Sequence, residues 1–194
     1  VYEGAPTPIT AYLAVGVKAA VFALVLRLFS QAFMPAIEEW QVILAILAAL
    51  TMTVGNLVAI AQSNIKRMLA YSSIGQVGYL LMGVAALSPV ASDGVMLHLV
   101  GYGVSNLAAF LGIILYYNVT GMENIAVYAG LADRSPFLAM AMSVALFSLA
   151  GLPFFAGFTT KFYLFTAAAE EGFLWLVALA ITNSLISLYY YLMV

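Results

Sequence analysis

The sequence has no cysteine, a single histidine and few charged residues. Without cysteine the chain cannot form a disulfide, bind an iron–sulfur cluster through thiolates or use a cysteine nucleophile. One histidine excludes bis-histidine haem ligation and a histidine-rich metal site built from this chain alone. We therefore expect no cofactor on this chain. It also lacks the basic patch that is typical of a nucleic-acid-binding protein.

Charge is scarce because most of the chain is apolar. Asp, Glu, Lys and Arg make up 7% of the residues, whereas soluble domains carry about 25%. Hydrophobic residues make up 65%, and the mean hydropathy is +1.09. Apolar runs of about 20 residues recur, which is the length that a helix needs to cross the hydrocarbon core of a bilayer. The sequence predicts an all-α polytopic membrane protein.

Six membrane-spanning helices are predicted from these runs. Their approximate ranges are Pro8–Ser30, Trp40–Gln62, Met68–Leu87, Gly94–Tyr117, Pro136–Ala168 and Phe173–Val194. Thr7 is predicted to cap the first of them and Asp93 the fourth. The fifth would be about 50 Å long as one straight helix, which is more than a membrane requires.

Gly151 and Pro153 interrupt this fifth span. Proline removes a backbone donor, and its ring crowds the carbonyl four residues earlier, so the helix is predicted to break between Ala150 and Phe154. Irregular backbone at membrane depth is tolerated where protein or a water-filled cavity receives its polar groups. The break is therefore predicted to mark a functional site.

Two lysines fall well inside predicted spans: Lys18, about 15 Å along the first, and Lys161, just beyond the break. A charged lysine at that depth costs at least about 2.5–3.5 kcal/mol. No Asp or Glu lies inside a predicted span, so we expect any counter-charge to come from a partner or from a further part of a longer chain. Burial disfavours the charged form of an amine, which makes both lysines candidates for a proton relay. The alternative for Lys161 is a structural lysine that snorkels from a helix end.

A polar stripe follows one face of the fourth span. His98, Tyr102, Ser105 and Asn106 stand at positions i, i+4, i+7 and i+8, which share a helix face. Histidine titrates nearest neutral pH, so His98 is the third candidate proton carrier, with Tyr102, Ser105 and Asn106 as candidates for lining the pathway. The alternative for His98 is a hydrogen bond that joins neighbouring helices.

Other polar residues in the spans are more typical of contacts between helices than of a pathway. They are Ser72, Ser73, Gln76, Thr159 and Thr160. Tyr189, Tyr190 and Tyr191 are interpreted as an aromatic belt at the membrane interface.

The loop charges indicate an orientation. Lys66, Arg67 and Arg134 fall in connections on one side of the predicted membrane, and most acidic residues fall on the other. The positive-inside rule places these three cations in the cytoplasm, with Lys66 and Arg67 as a topogenic anchor. A bacterial plasma membrane is expected, with the thylakoid and the mitochondrial inner membrane as alternatives.

Three stretches of the sequence resemble one known family. They are residues 1–8 (VYEGAPTP), residues 61–79 (AQSNIKRMLAYSSIGQVGY) and residues 148–163, which run from SLAGLP to GFTTKFY. Together they resemble the antiporter-like membrane-arm subunits of respiratory complex I (NADH:quinone oxidoreductase) and of its photosynthetic relatives. The Lys161-Phe-Tyr ending and the three successive tyrosines are most similar to the N subunits of that family.

The resemblance implies a protein of about fourteen helices built from two inverted five-helix repeats, each with a broken helix. Residues 1–39 would hold the last helix of the first repeat and residues 40–194 the second repeat, as part of a longer chain. Lys18 and Lys161 match lysines of the family, and His98 matches a central position that is histidine in some sister subunits. Tyr102 and Asn106 stand where those sisters carry a histidine and a lysine.

The function that the resemblance implies is proton translocation without redox chemistry in this chain. Lys18, His98 and Lys161 would be successive stations, driven by redox reactions in other subunits. The expected partners are the other membrane-arm subunits, the lipid bilayer and protons, with Na+ as the alternative coupling ion. Three other functions stay open: a subunit of an Mrp-type cation/proton antiporter, a structural scaffold and a quinone-binding subunit.

Overall fold

The computed structural model describes Tyr2 and residues 4–194; Val1 and Glu3, in the first of the three family stretches, lie outside the described residues. The helices within that part of the chain are α1 Thr7–Gln31, α2 Ile37–Ile60, α3 Ile65–Ala86, α4 Pro89–Thr120, α5 Leu131–Arg134, α6 Pro136–Ala150, α7 Ala156–Glu170 and α8 Leu174–Leu192. Short 3₁₀ turns occupy Met34–Ala36 and Ile125–Tyr128.

Helices α1, α2, α3, α4 and α8 are each long and apolar enough to cross a membrane. Helix α6 is a shorter apolar helix, and with α7 it forms the span that was predicted to be broken. The prediction of an all-α polytopic membrane protein is confirmed.

Both predicted helix caps are wrong. Helix α1 includes Thr7 as its first residue, and no side chain of the described residues caps its start. Helix α4 begins at Pro89, and Ser88 caps it by accepting a hydrogen bond from the Ala91 N–H at 3.1 Å. Proline suits the first helical position because its missing N–H would be unpaired there in any case. Asp93 therefore lies inside a helix that starts several residues earlier than expected.

Glycines allow α2 and α3 to pack with their backbones close together. A Cβ added to Gly55 would lie 2.5 Å from the backbone nitrogen of Gly75, and one added to Gly78 would lie 2.6 Å from the Cβ of Met52. Small residues at such crossings are typical of helix packing in membranes. Helix α3 is thereby fixed against α2 on one side, and its other side faces α4 and α7.

The predicted break between α6 and α7 is confirmed. Helix α6 ends at Ala150, and Gly151 adopts the left-handed conformation with φ 87°. The N–H groups of Gly151 and Leu152 both donate to the Phe147 carbonyl at 3.1 Å, which closes the end of the helix. A left-handed residue after the last turn is a common helix ending, and glycine adopts it at little cost.

The two half-helices are joined where they meet. A Cβ on Gly157 would overlap the carbonyl oxygen of Ser148. The Gly157 N–H donates to Ser148 Oγ at 3.3 Å, and Ser105 Oγ of α4 donates to the same atom at 2.7 Å. The start of α7 therefore lies directly against the last turn of α6, and α4 is bonded to that junction.

The connections that carry the cations meet at one end of the molecule. The Ile65 N–H donates to the Glu123 carbonyl at 2.9 Å. Lys66 is buried; its Nζ donates to the Ala5 carbonyl at 2.6 Å and lies 3.8 Å from a carboxylate oxygen of Glu123. Lys66 thus joins three segments of the chain, and its role as a topogenic anchor stays a prediction.

The aromatic-belt interpretation is wrong for Tyr190 and Tyr191, which are buried, while Tyr189 is 59% exposed. The Tyr190 hydroxyl donates to Asn56 Oδ1 at 2.8 Å, and Asn56 Nδ2 donates to Asn183 Oδ1 at 3.1 Å. Successive residues of a helix point about 100° apart, so three adjacent tyrosines cannot share one surface. The sequence shows the run of tyrosines but not which of them face α2.

We expect Tyr190→Phe to lower the free energy of unfolding by about 1–3 kcal/mol, because it leaves a buried acceptor on Asn56 with one donor fewer. Thermal unfolding of the full-length protein in detergent measures this. Tyr189→Phe is the matched control and is expected to change stability little, because that side chain is exposed. Equal losses in the two variants would contradict the buried network.

We expect Gly157→Ala to separate α6 from α7 and to destabilise the protein by about 1–3 kcal/mol, since the new methyl group overlaps the Ser148 carbonyl. Gly94→Ala is the control: it gains the same helix propensity, and its Cβ meets nothing nearer than Leu164 Cδ2 at 3.4 Å. The same unfolding assay applies. A Gly157→Ala protein as stable as Gly94→Ala would refute the close approach of the two half-helices.

Candidate functional site

Lys161 of α7 lies buried at the break, with 3% of its surface exposed. Its Nζ donates to the carbonyl oxygens of Leu149 at 3.2 Å and Ala150 at 3.0 Å, and to Ser184 Oγ of α8 at 3.2 Å. An ammonium group has three N–H donors, and all three have acceptors here. The lysine is therefore held inside the helix bundle instead of snorkelling to the membrane surface.

The end of α6 supplies carbonyl dipoles that stabilise the Lys161 ammonium. Leu149 and Ala150 carry two of the last four carbonyls of that helix, which have no partner inside the helix. The negative end of the helix dipole also favours a cation at this place, and the ring of Tyr79 lies 4.9 Å from the ammonium. These acceptors are neutral dipoles, so a full negative charge near Lys161 stays a prediction for a partner or a further part of a longer chain.

His98 of α4 is buried and joined to Lys161 through one side chain. Its Nε2 lies 3.2 Å from Gln76 Oε1, and its Nδ1 lies 2.9 Å from Thr160 Oγ1. Gln76 Nε2 donates at 3.2 Å to the carbonyl oxygen of Leu149, the same atom that accepts a hydrogen bond from Lys161. A single carbonyl oxygen at the break thus connects the two candidate proton carriers.

The partners of His98 suit both of its charge states. In the neutral ring with its proton on Nε2, that nitrogen donates to Gln76 and Nδ1 accepts from the Thr160 hydroxyl. In the charged ring both nitrogens donate, and the Thr160 hydroxyl turns to donate to the Gly157 carbonyl, which lies 3.1 Å from it. Rotation of one hydroxyl therefore accommodates the gain or loss of a proton.

A small cavity lies between these groups. Its volume is about 10 Å³, close to the space that one water molecule needs. The side chains that line it are those of Gln76, His98, Tyr102, Ser105, Ser148 and Lys161, together with backbone atoms at the break. Several polar atoms therefore surround a space of the size of one water.

Lys18 of α1 is half-buried and lies close to Tyr102. Its Nζ donates to the Ser73 carbonyl of α3 at 2.7 Å and lies 5.7 Å from the centre of the Tyr102 ring. The rings of Tyr102 and His98 are nearly parallel, at 19°, with centres 6.4 Å apart. We call the series Lys18, Tyr102, His98, Gln76 and Lys161 the polar track.

Helix α1 changes its winding immediately before Lys18. Leu13–Val17 forms a π-helical turn, which is rare and often found at functional sites. The Tyr102 hydroxyl donates to the Ala14 carbonyl in this turn at 3.2 Å. Tyr102, a residue of the polar track, therefore joins α4 to the π-helical turn of α1.

Two residues of the predicted stripe on α4 occupy different environments. Ser105 lines the cavity and bonds to Ser148 at the break. Asn106 is fully buried, and neither atom of its amide group has a hydrogen-bond partner among the described residues. The helical spacing placed both on the inner face, but only Ser105 adjoins the polar track.

Sequence reasoning undervalued two residues of the site and missed a third. Gln76 and Thr160 were assigned to contacts between helices, although they are the two partners of His98. A polar side chain in an apolar span was the available signal, but the sequence does not indicate which residue that side chain contacts. Ser184 stands in the last span and gave no signal that it would reach Lys161.

Comparison with known proteins assigns the chain to a family. The family model described as "NADH:quinone oxidoreductase/Mrp antiporter, TM" matches residues 1–187. NADH-quinone oxidoreductase subunit N of Desulforamulus reducens is 49% identical over the whole chain. NAD(P)H-quinone oxidoreductase subunit 2 of Crocosphaera subtropica is 46% identical over the whole chain.

Solved structures give the same result. A chain of respiratory complex I from Thermus thermophilus with bound aureothin superposes with a TM-score of 0.82 at 35% identity; the match covers 100% of this chain and 42% of that one. A chain of the Mrp complex from Dietzia sp. superposes with a TM-score of 0.86 at 26% identity, over 96% of this chain and 35% of that one.

The chain spans 40% of the length of the Desulforamulus protein and 37% of the Crocosphaera protein. Relatives named subunit N confirm the resemblance that the three sequence stretches indicated. This chain belongs to the NADH:quinone oxidoreductase/Mrp antiporter transmembrane family.

Proposed function

We propose that this chain carries protons within the membrane arm of an NADH:quinone oxidoreductase, coupled to redox chemistry in other subunits. The observation that supports this most is the shared carbonyl oxygen of Leu149, which accepts hydrogen bonds from Lys161 and from the Gln76 that holds His98. His98 and Lys161, both titratable, are thereby connected by hydrogen bonds within the helix bundle, and none of these bonds involves a carboxylate.

Proton exchange at His98 is the central step of the proposal. A water molecule in the adjoining cavity would carry a proton between Lys161 and the imidazole ring, and Thr160 would turn its hydroxyl as the ring changes charge. Tyr102 would separate His98 from Lys18, the third station. Ser105 would bind the same water, and Asn106 would line the inner face of α4 beyond it.

The arrangement of the whole protein is part of the same proposal. Residues 1–39 would close one inverted repeat and residues 40–194 would form the next, with other membrane-arm subunits as neighbours. The end that carries Lys66, Arg67 and Arg134 would face the cytoplasm of a bacterium. The homologues from bacteria, including cyanobacteria, support a bacterial membrane.

A second candidate function is that of an Mrp-type cation/proton antiporter subunit. The superposition on the Mrp complex from Dietzia sp. favours it, whereas the curated relatives cited above are named quinone oxidoreductases. An antiporter would exchange Na+ for protons without an electron donor. Proton uptake by vesicles that requires NADH and not Na+ would support the oxidoreductase function.

We expect Lys161→Met to reduce proton pumping by about 100-fold or more, because it removes a group that exchanges a proton. Pumping per electron is measured in vesicles that contain the assembled complex with the full-length subunit. Lys161→Arg should also fail, since arginine keeps the charge but does not release its proton. Arg27→Gln, at an exposed helix end, is the control and should pump normally. Normal pumping by assembled Lys161→Arg complexes would refute the relay.

We expect Thr160→Val to slow proton pumping at least about fivefold, because His98 Nδ1 then lacks an acceptor when charged and a donor when neutral, at a cost of about 1 kcal/mol or more. Valine keeps the shape of threonine, so packing changes little. Thr159→Val is the matched control, because the Thr159 side chain is exposed. Pumping rates of the two assembled variants are compared, and equal rates would remove Thr160 from the mechanism.

A further inference from the structure

An open groove lies on the outside of the bundle between α4 and α6. Its volume is about 670 Å³, within the range of about 300–1,000 Å³ that is typical of ligand sites. The side chains along it are mostly apolar and include Leu111, Leu115, Phe137 and Leu138. Its base is closed at Gly112, where an added Cβ would lie 2.5 Å from Met142 Cγ.

One end of the groove is polar and carries a cation. Arg134 and Ser135 line this end, and Arg134 Nη1 donates to the Tyr116 hydroxyl at 3.3 Å. The Arg134 guanidinium keeps further N–H donors. The salt bridge found among the described residues joins Lys66 to Glu123 and does not include Arg134. Ser135 precedes α6 without making a capping hydrogen bond, so its hydroxyl is available as well. Asp133 is adjacent in sequence but does not line the groove.

The length of the groove corresponds to one leaflet of a bilayer. Along α4 its lining extends from Ala108 to Thr120, about 18 Å at helical rise. Half of the hydrocarbon core is about 15 Å thick. An acyl chain with its headgroup fits this length.

We propose that the groove binds one anionic phospholipid, with an acyl chain against Leu111 and Leu115 and the phosphate at Arg134 and Ser135. Arginine donates paired hydrogen bonds to phosphate, and basic pockets between helices are typical sites for anionic headgroups. None of the residues that line this groove belongs to the polar track.

The test uses the full-length protein in its complex, with bound lipids measured by native mass spectrometry after exchange into dioleoyl phosphatidylglycerol or dioleoyl phosphatidylcholine. Arg134→Gln should lower retention of phosphatidylglycerol about fivefold, with a smaller effect on phosphatidylcholine. Arg27→Gln removes one exposed arginine elsewhere and should retain both lipids. Equal retention of phosphatidylglycerol by the two variants would overturn the proposal.

A second measurement identifies the occupant directly. Benzoylphenylalanine introduced at Leu115 is photolysed in the native membrane, and the adduct on this subunit is weighed. We expect an adduct with the mass of a phospholipid, which Arg134→Gln should diminish. An adduct to another polypeptide, or no adduct, would mean that the groove does not hold a lipid.

Discussion

The structure depends on the contact between the Lys161 ammonium and the carbonyl oxygens of Leu149 and Ala150. A lysine at membrane depth costs at least about 2.5–3.5 kcal/mol. Hydrogen bonds to a charged group contribute about 1.5–3 kcal/mol each, so the three that Lys161 makes are sufficient to offset that cost. The acceptors exist only because Gly151 and Pro153 stop α6 inside the bundle. The break therefore supplies the acceptors on which the buried lysine depends.

The same junction gives the site its connections. Ser148, in the last turn of α6, accepts hydrogen bonds from α4 and from the start of α7. Leu149 accepts from Lys161 and from Gln76, which holds His98. A displacement of this turn would change the hydrogen bonds of the lysine and of the glutamine together. A movement of one half-helix would thereby change the surroundings of Lys161 and His98 together.

Features that depend on local sequence were predicted well. The spans follow from the lengths of apolar runs, and the break follows from glycine and proline within one run. Features that depend on a choice between neighbouring residues were not predicted correctly. Ser88 and Pro89 start α4 where Asp93 was expected to, and Tyr190 and Tyr191 are buried where a membrane-facing belt was expected. In each case several residues fitted the pattern, and contacts with other helices decided among them.

The sequence by itself determined the helical class, the broken span and the presence of two lysines in apolar segments that contain no acidic residue. Helical periodicity also placed His98, Tyr102 and Ser105 on one face. Only the tertiary structure decided what those side chains meet: Thr160 reaches His98 across 62 residues of sequence, and Gln76 reaches Leu149 across 73. Periodicity defines the face of a helix, whereas the helix that crosses that face, and the height at which it crosses, follow from the packing of the whole bundle.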